Sequence, residues 1–496
     1  MLELAFATGD PLAEEVDLLV LVCREGDLDD ASGLVGRADA RLDGLLRRAA
    51  AEERFRGKPG QALIAHTAGR LPARRIALVG WGTPAADATR ALRTAAGSAA
   101  RLANTVGATR AALAWSSAEG TRALEAAAEG AALGTYRFDK YLTDERSRAA
   151  SLTSLTLFPP AALEAGAGTA ALARAATTAR AVARARDLVN EPAGVLTPTR
   201  ISALASEWAR QAGLSVEVLD GAACRELGMG LYLAVAQGSQ EEPRFIHLAW
   251  TPAGARRRIV LVGKGVTFDS GGLSLKTNEG MLDMKTDMAG AAAVLAATVA
   301  AGEEKLPVEV HALAACAENM PSGNSYKLGD VLRSLNGKTV EINNTDAEGR
   351  LTLADAITFG LRFRPDALLD FATLTGACMV ALGPHIAGVM SNDETLAAAF
   401  LGAAEQAGEE MWRLPLPPRL AEQLKSEIAD LKNTGERWGG ALTAGLFLKE
   451  FVGDVPWAHV DIAGPSSANK EHGHVVKGGT GFGVTAILDY LRRSAV

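Results

Sequence analysis

The sequence predicts an α/β protein with two domains. Its 496 residues exceed the usual length of a single domain. Short apolar runs that end in an acid or a glycine alternate with alanine-rich helical stretches, a pattern typical of sheets flanked by helices. A segment punctuated by proline and glycine, Leu188–Pro198, separates the two parts. We therefore expect an N-terminal α/β domain over residues 1–160, a connecting helix over 161–190 and a larger C-terminal domain over 191–496.

The N-terminal part contains two apolar runs that predict buried strands, Asp17–Val22 and Arg74–Gly82. Helices are expected at Ala85–Ala103 and Gly120–Ala132, and the alanine-rich pattern of the connector covers Ala161–Arg186. No group of acids, bases or nucleophiles stands out in this part, so we expect the chemistry further along the chain.

The C-terminal part resumes the alternation of strands and helices. Its predicted strands are Ile259–Gly263, Val308–Ala314, Ala367–Thr373 and Ala458–Ile462. Its predicted helices are Met288–Ala301 and Leu351–Arg362. Both parts therefore fit mixed or parallel sheets covered by helices.

Composition and charge argue against several classes of protein. A net charge of −7 without a basic tract gives no sign of a nucleic-acid partner. The four cysteines are far apart and form no CxxC pair, which argues against a disulfide framework or a cysteine zinc site and favours a reducing, cytoplasmic compartment. The N-terminus lacks the positive region of a signal peptide, and the apolar runs are too short for a membrane span.

The segment VGKGVTFDSGGLSLK, Val262–Lys276, is the first candidate for chemistry. Lys264, Asp269 and Lys276 lie where an apolar strand runs into glycines, and functional groups collect at such strand ends. The segment is not a phosphate-binding P-loop or a GxSxG nucleophile elbow, and no HExxH zinc helix occurs in the chain.

Two further segments carry acids in unusual positions. In MLDMKTDMAGAAAV, Asp287 precedes a predicted helix, and taken alone it is best interpreted as a helix N-cap. In NTDAEGR, an extended chain would place Asp346, Glu348 and Arg350 on one face. Taken alone, the heptapeptide fits a solvated strand edge or a turn as well as it fits a functional site.

Considered together, the three segments contain four carboxylates in similar positions: Asp269, Asp287, Asp346 and Glu348. Four carboxylates in one pocket would repel each other and have raised pKa values unless cations lay among them. Carboxylate oxygens suit hard or borderline divalent ions, and a pair of such ions is a known hydrolytic device. The sequence therefore indicates a two-metal hydrolase site.

The same segments, with ATLTGA (Ala372–Ala377) and PWAHVDIAG (Pro456–Gly464), resemble the leucyl aminopeptidase (cytosol aminopeptidase) family of two-metal peptidases. The resemblance covers roughly residues 180–496. It implies a macro-domain-like N-terminal domain, a catalytic domain with a mixed central sheet, a homohexamer, and Mn²⁺ or Zn²⁺ as the ions. It also implies peptide substrates with a free N-terminus, from which leucine or another apolar residue is removed.

The resemblance assigns a role to each candidate residue. Five residues would hold the two ions: Lys264, Asp269, Asp287, Asp346 and Glu348. Lys276 would polarise the substrate carbonyl, and Arg350 would hold a bicarbonate ion as the general base. Other residues would line the bicarbonate and side-chain pockets: Met284, Ala347, Gly349, Thr373, Leu374 and Gly376.

Alternatives to this assignment remain open at the level of sequence. Lys264 could form a salt bridge with an acid instead of binding an ion. The same machinery could serve a narrower dipeptidase, such as one for cysteinylglycine, or the fold could serve as a scaffold. His472 and His474 favour a solvent-exposed loop over a second metal site. The spacing in Gly478–Gly483 is wrong for a nucleotide-binding loop.

Overall fold

The computed structural model describes residues 2–83, 88–144 and 152–495. They form two compact units. The first unit is Met1–Arg180 with Asn469–Lys477, and the second is Ala181–Ala468 with Gly478–Val496. The start of the helix expected at Ala85 lies outside the described residues. The domain boundaries expected from the sequence stay predictions.

The first unit is a sheet with helices on both faces. Its strands are β1 (Glu3–Phe6), β2 (Leu18–Arg24), β3 (Ala62–His66), β4 (Arg75–Gly82), β5 (Arg110–Ala114) and β6 (Ser154–Phe158). Its helices are α1 (Leu34–Arg41), α2 (Leu45–Glu52), α3 (Ala88–Thr105) and α4 (Gly120–Gly134). The strand order is β1-β6-β5-β2-β4-β3, with β3 antiparallel to β4 and the other pairings parallel. The apolar run of β2 is buried on both faces, as expected for a covered parallel strand.

A long helix, α5 (Ala165–Asn190), follows the first sheet. The glycine-rich run Gly478–Gly483 packs against its C-terminal half, and the Gly479 N–H donates to Asn190 Oδ1 at 2.8 Å. A Cβ on Gly481 would lie 2.8 Å from Val182 Cγ1. The glycines of this run therefore permit close packing on a helix.

The second unit is built on an eight-stranded sheet. Its strands and those of two small sheets are β7 (Ser215–Leu219), β8 (Arg244–Trp250), β9 (Arg258–Asp269), β10 (Glu309–Asn319), β11 (Val331–Arg333), β12 (Thr339–Glu341), β13 (Ala367–Ala372), β14 (Ala387–Ser391), β15 (Met411–Arg413), β16 (Leu431–Lys432), β17 (Trp457–Asp461), β18 (Ser467–Ala468) and β19 (Gly478–Gly479). The large sheet has the order β15-β14-β17-β13-β9-β10-β8-β7. Strands β13, β9 and β10 run parallel at its centre, whereas β7, β8 and β14 make antiparallel pairings. The expected α/β class with a large mixed sheet is confirmed.

Helices cover both faces of this sheet. The helices of the second unit are α6 (Pro198–Ala212), α7 (Gly221–Leu227), α8 (Gly230–Ala236), α9 (Asn278–Met281), α10 (Ala289–Glu303), α11 (Gly349–Gly360), α12 (Gly376–Leu382), α13 (Glu394–Ala407), α14 (Pro418–Ala421), α15 (Gly440–Lys449) and α16 (Val484–Ser494). Helix α10 is buried along nearly its whole length, and its small residues let it lie directly on β9. On the opposite face, α8, α11 and α15 share one apolar core with the central strands. Both faces of the central strands are therefore shielded from water.

Candidate metal centre

The candidate site lies at the carboxyl ends of the three central parallel strands. Asp269 ends β9, Asn319 ends β10, and Thr373 directly follows β13. Because parallel neighbours end at the same edge of a sheet, these residues are brought together there.

Three carboxylates form the centre of the site. Asp269, Asp346 and Glu348 each offer an oxygen, and these oxygens lie within 4.8 Å of one another. Asp269 and Glu348 are buried. Burial raises the pKa of Glu348 to about 8, and the negative charge of Asp269 is the second largest cause. Burial also raises the pKa of Asp346. Negative charge is therefore concentrated where little water can stabilise it.

Lys264 extends from β9 into this cluster. Its Nζ lies 2.7 Å from Asp287 Oδ2 and 2.8 Å from Glu348 Oε1, and it donates to the Thr373 carbonyl at 3.1 Å. Burial by itself would lower the pKa of Lys264, but the carboxylates of Asp287 and Glu348 raise it above its ordinary value. A Cβ on Gly349 would lie 2.5 Å from Lys264 Cε, so glycine is needed there for the lysine to pass.

Lys276 reaches the same cluster from the loop after β9. Its Nζ lies 2.8 Å from Asp269 Oδ2 and 2.5 Å from Asp346 Oδ1. Burial opposes the charge of Lys276, yet these two carboxylates raise its pKa above the ordinary value. The two lysines are thus the counter-charges of the carboxylates in the protein alone.

Asp287 does not cap the helix that follows it, so its interpretation as an N-cap is wrong. Helix α10 has Met288 at its N-cap position and no side-chain cap. Asp287 Oδ1 instead accepts hydrogen bonds from Lys264 Nζ and Thr373 Oγ1, both at 2.7 Å. Burial raises the pKa of Asp287 to about 6, against the opposing charge of Lys264.

The extended conformation considered for NTDAEGR is also wrong. The Asp346 N–H donates to Asn344 Oδ1 at 2.8 Å, which closes a turn, and Glu348 has helical dihedral angles as the N-cap of α11. A turn followed by a helix brings Asp346 and Glu348 to one point. Arg350 lies in the first turn of α11.

Arg350 is buried and incompletely paired. Its Nη1 donates to the Asn433 carbonyl at 2.7 Å, while its Nε is buried with no hydrogen-bond partner among the described residues. Burial lowers the pKa of Arg350 to about 10, opposed by the charges of Glu348 and Asp461. A buried guanidinium N–H without an acceptor is unfavourable, and an anion beside it would supply the missing acceptor.

The remaining predicted residues lie within a few positions of these side chains along the chain. Met284 begins a 3₁₀ helix, Met284–Thr286, directly before Asp287, and Gly376 begins α12. The Leu374 N–H donates to Asp461 Oδ1 at 3.2 Å. Ala347 and Gly349 flank Glu348 at the start of α11.

Sequence reasoning missed two polar residues that hold these segments in place. Asp461 accepts from the Leu374 N–H and, at 2.7 Å, from Thr375 Oγ1. Asn319 contacts Asp269 at the end of β10. Their position at the carboxyl end of a strand was the available signal.

The donor set fits divalent cations. Carboxylate oxygens are the ligands such ions prefer, and Glu348 Oε2 is buried with no hydrogen-bond partner in the described part of the chain. Lys264 can join the set only after it loses its proton. His472 and His474 belong to no candidate metal-binding group among residues 2–83, 88–144 and 152–495.

Comparison with known proteins identifies the family of the chain. Residues 183–488 match the catalytic domain of the cytosol aminopeptidase family, and residues 19–145 match the N-terminal domain of the same family. The chain is 44% identical over 485 residues to a probable cytosol aminopeptidase of Cyanothece sp., covering 96% of each chain. It is 45% identical over 478 residues to one of Geobacter sulfurreducens, again covering 96% of each.

Solved structures show the same similarity. A mutant of tomato leucine aminopeptidase matches with a TM-score of 0.91 and 37% identity, covering 99% of this chain and 97% of that one. The bottromycin maturation enzyme BotP in complex with Mn matches with a TM-score of 0.85 and 36% identity, covering 97% and 100%. No helix in the described residues is long and apolar enough to cross a membrane. The chain therefore belongs to the cytosol aminopeptidase family of metal-dependent exopeptidases, and the family and enzyme class expected from its sequence are confirmed.

Proposed function

We propose that this aminopeptidase removes leucine or another apolar residue from the N-terminus of peptides, with two divalent ions bound per chain. The ligands would be Lys264, Asp269, Asp287, Asp346 and Glu348. The observation that carries the proposal is the cluster of carboxylates, in which Asp269 and Glu348 are buried and Glu348 Oε2 has no partner among the described residues. Mn²⁺ and Zn²⁺ both suit this set, and the solved relative BotP binds Mn.

The chain's own residues would prepare both partners of the reaction. When bound, the ions would activate the attacking water and polarise the scissile carbonyl. Lys276 is partly exposed at the edge of the cluster, so its ammonium is available to stabilise the negative charge that develops on the carbonyl oxygen. Lys264 would lose its proton on binding an ion, because a protonated amine has no free lone pair to donate.

Arg350 would hold a bicarbonate ion that takes the proton from the attacking water. The unpartnered, buried Nε of Arg350 supports this role, because an anion there would accept a charge-assisted hydrogen bond. The backbones of Ala347, Gly349 and Leu374 would complete the bicarbonate pocket.

Specificity for a free N-terminus would follow from Asp287. Its carboxylate is paired with the Lys264 ammonium in the protein alone, and it would accept a hydrogen bond from the free amino group of a substrate once Lys264 has given up its proton. An internal peptide nitrogen is neither basic nor free. Met284, Thr373 and Gly376 would line the pocket for the first side chain, which favours an apolar residue.

The proposal extends to a cytoplasmic homohexamer. The curated relatives are named cytosol aminopeptidases. Several large apolar side chains of the second unit are exposed, among them Leu282, Val380 and Trp438, as expected of surfaces that other subunits cover. Sedimentation of the purified chain would give its assembly directly.

A matched pair of substrates tests the proposed activity. The Mn²⁺-loaded protein is expected to hydrolyse leucine p-nitroanilide and to leave N-acetyl-leucine p-nitroanilide intact, because acetylation removes the basic amine. Equal hydrolysis of both compounds, or of neither, would contradict the proposal.

A further inference from the structure

Asn319 lies directly beside the candidate metal centre, where its side chain contacts Asp269. It is the last residue of β10, is fully buried, and pairs with Asp269 across the sheet. Its Nδ2 donates to Asp269 Oδ1 at 2.8 Å and to the Thr345 carbonyl at 3.0 Å. Because Thr345 precedes Asp346, one side chain joins the two segments that carry candidate ligands.

The orientation of the Asn319 amide follows from these contacts. Both partners are acceptors, so a reversed amide would set its own oxygen against two others. In the observed orientation, Asn319 Oδ1 is buried with no hydrogen-bond partner among the described residues. An unsatisfied buried oxygen is unfavourable, and the two hydrogen bonds that Asn319 Nδ2 donates offset this cost.

The two oxygens of Asp269 have different partners: one accepts the hydrogen bond from Asn319, and the other faces the cluster. Asp269 Oδ1 accepts from Asn319 Nδ2 and from the Gly271 N–H, both at 2.8 Å. Asp269 Oδ2 faces the cluster, 2.8 Å from Lys276 Nζ. Without the amide donor, one of the two hydrogen bonds to Asp269 Oδ1 is lost.

The contact between the segments is reinforced around Thr345. Thr345 Oγ1 donates to the Gly271 carbonyl at 2.6 Å, and Tyr326 Oη donates to the Thr345 carbonyl at 2.7 Å. Asn319 differs from these residues because only its side chain bonds both a candidate ligand carboxylate and the neighbouring segment.

We propose that Asn319 is a positioning residue of the metal centre, which orients Asp269 for ion binding and sets its separation from Asp346. This inference rests on the metal-dependent function proposed above. Asn319 touches neither substrate nor ion, and acts through Asp269.

The test measures ion binding separately from activity. Asn319→Leu removes the donor but keeps a side chain of similar size, and Asn319→Ala removes it without adding bulk. Both variants are expected to bind Mn²⁺ roughly 10- to 100-fold more weakly in isothermal titration, the usual effect of replacing residues behind metal ligands. Urea unfolding of the metal-free variants establishes that folded proteins are compared.

Tyr326→Phe is the matched control. It removes only the hydroxyl that bonds the same Thr345 carbonyl, so it is expected to bind Mn²⁺ as tightly as the unchanged protein. Equal losses in Tyr326→Phe and Asn319→Leu would overturn the inference, since they would trace the effect to Thr345. Unchanged Mn²⁺ affinity in both Asn319 variants would overturn this inference but would leave the proposed function standing. Failure of the unchanged chain to bind Mn²⁺ would overturn the proposed function as well.

Discussion

Lys264 and Lys276 both contact two carboxylates in the protein alone, but they have different proposed roles. Lys264 is fully enclosed between Asp287 and Glu348, so an ion that enters must either displace its proton or be excluded by it. Lys276 is more exposed, so it can move aside from Asp269 and Asp346 without being desolvated. The difference in burial therefore distinguishes Lys264, a candidate ligand, from Lys276, a candidate catalytic group.

Replacement of Lys276 by methionine tests this distinction. The variant keeps the length of the side chain but loses the charge, so kcat for leucine p-nitroanilide is expected to fall by roughly 10²- to 10³-fold. Metal content, measured by elemental analysis, is expected to stay unchanged, because the two carboxylates remain. A loss of metal in proportion to the loss of activity would instead make Lys276 part of the ion site.

At the scale of elements, the sequence predicted strand positions well and strand ends poorly. The run Val308–Ala314 was recognisable as a strand because it is apolar, but β10 continues to Asn319 through small and polar residues. The residues beyond the apolar run were those next to the site, so Asn319 was missed. For NTDAEGR the sequence left a turn as one of the open interpretations, and a hydrogen bond from the Asp346 N–H to the Asn344 side chain decides for it.

The first turn of α11 depends on a glycine. A Cβ on Gly349 would meet Lys264 Cε at 2.5 Å, whereas nothing lies within 4 Å of a Cβ on Gly323. Gly349→Ala is therefore expected to displace Lys264 and weaken Mn²⁺ binding by about tenfold, as for other residues that position ligands. Gly323→Ala is expected to have no effect. Isothermal titration of both variants decides this, and equal affinities would show that Lys264 needs no such clearance.

Helix α11 also contains a buried acid that makes stability depend on pH. Asp355 accepts from the Tyr232 and Leu335 N–H groups at 2.9 and 2.8 Å, and burial raises its pKa from 3.8 to about 7. A carboxyl whose pKa is higher in the folded state binds a proton on folding. Its contribution to the free energy of unfolding is complete below about pH 4 and is lost as the pH rises through about 7.

Asp355→Asn is expected to remove this dependence. Relative to the unchanged protein, the variant's free energy of unfolding should increase by about 2–3 kcal/mol from pH 5 to pH 8, at about 1.4 kcal/mol per pH unit. Urea unfolding of the metal-free proteins, followed by tryptophan fluorescence, measures the difference. A constant difference across this range would mean that Asp355 is ionised throughout.

At the scale of the whole molecule, each unit is an α/β sheet covered by helices, and both belong to domains of one family. The sequence was sufficient to predict the fold class and the family. Apolar periodicity and the order of motifs can be recognised without knowing which residues are in contact. The sequence could not predict that residues 469–477, far along the chain, join the first unit, because that depends on long-range packing.

The number of divalent ions that restore activity tests the central claim most directly. The protein is stripped with a chelator, and Mn²⁺ is returned in steps while bound metal and leucine p-nitroanilide hydrolysis are measured together. Activity is expected to be absent at the start and to reach its maximum as binding approaches two ions per chain, while Glu348→Ala retains neither ion. Full activity without bound metal, or normal metal content in Glu348→Ala, would contradict the two-metal centre.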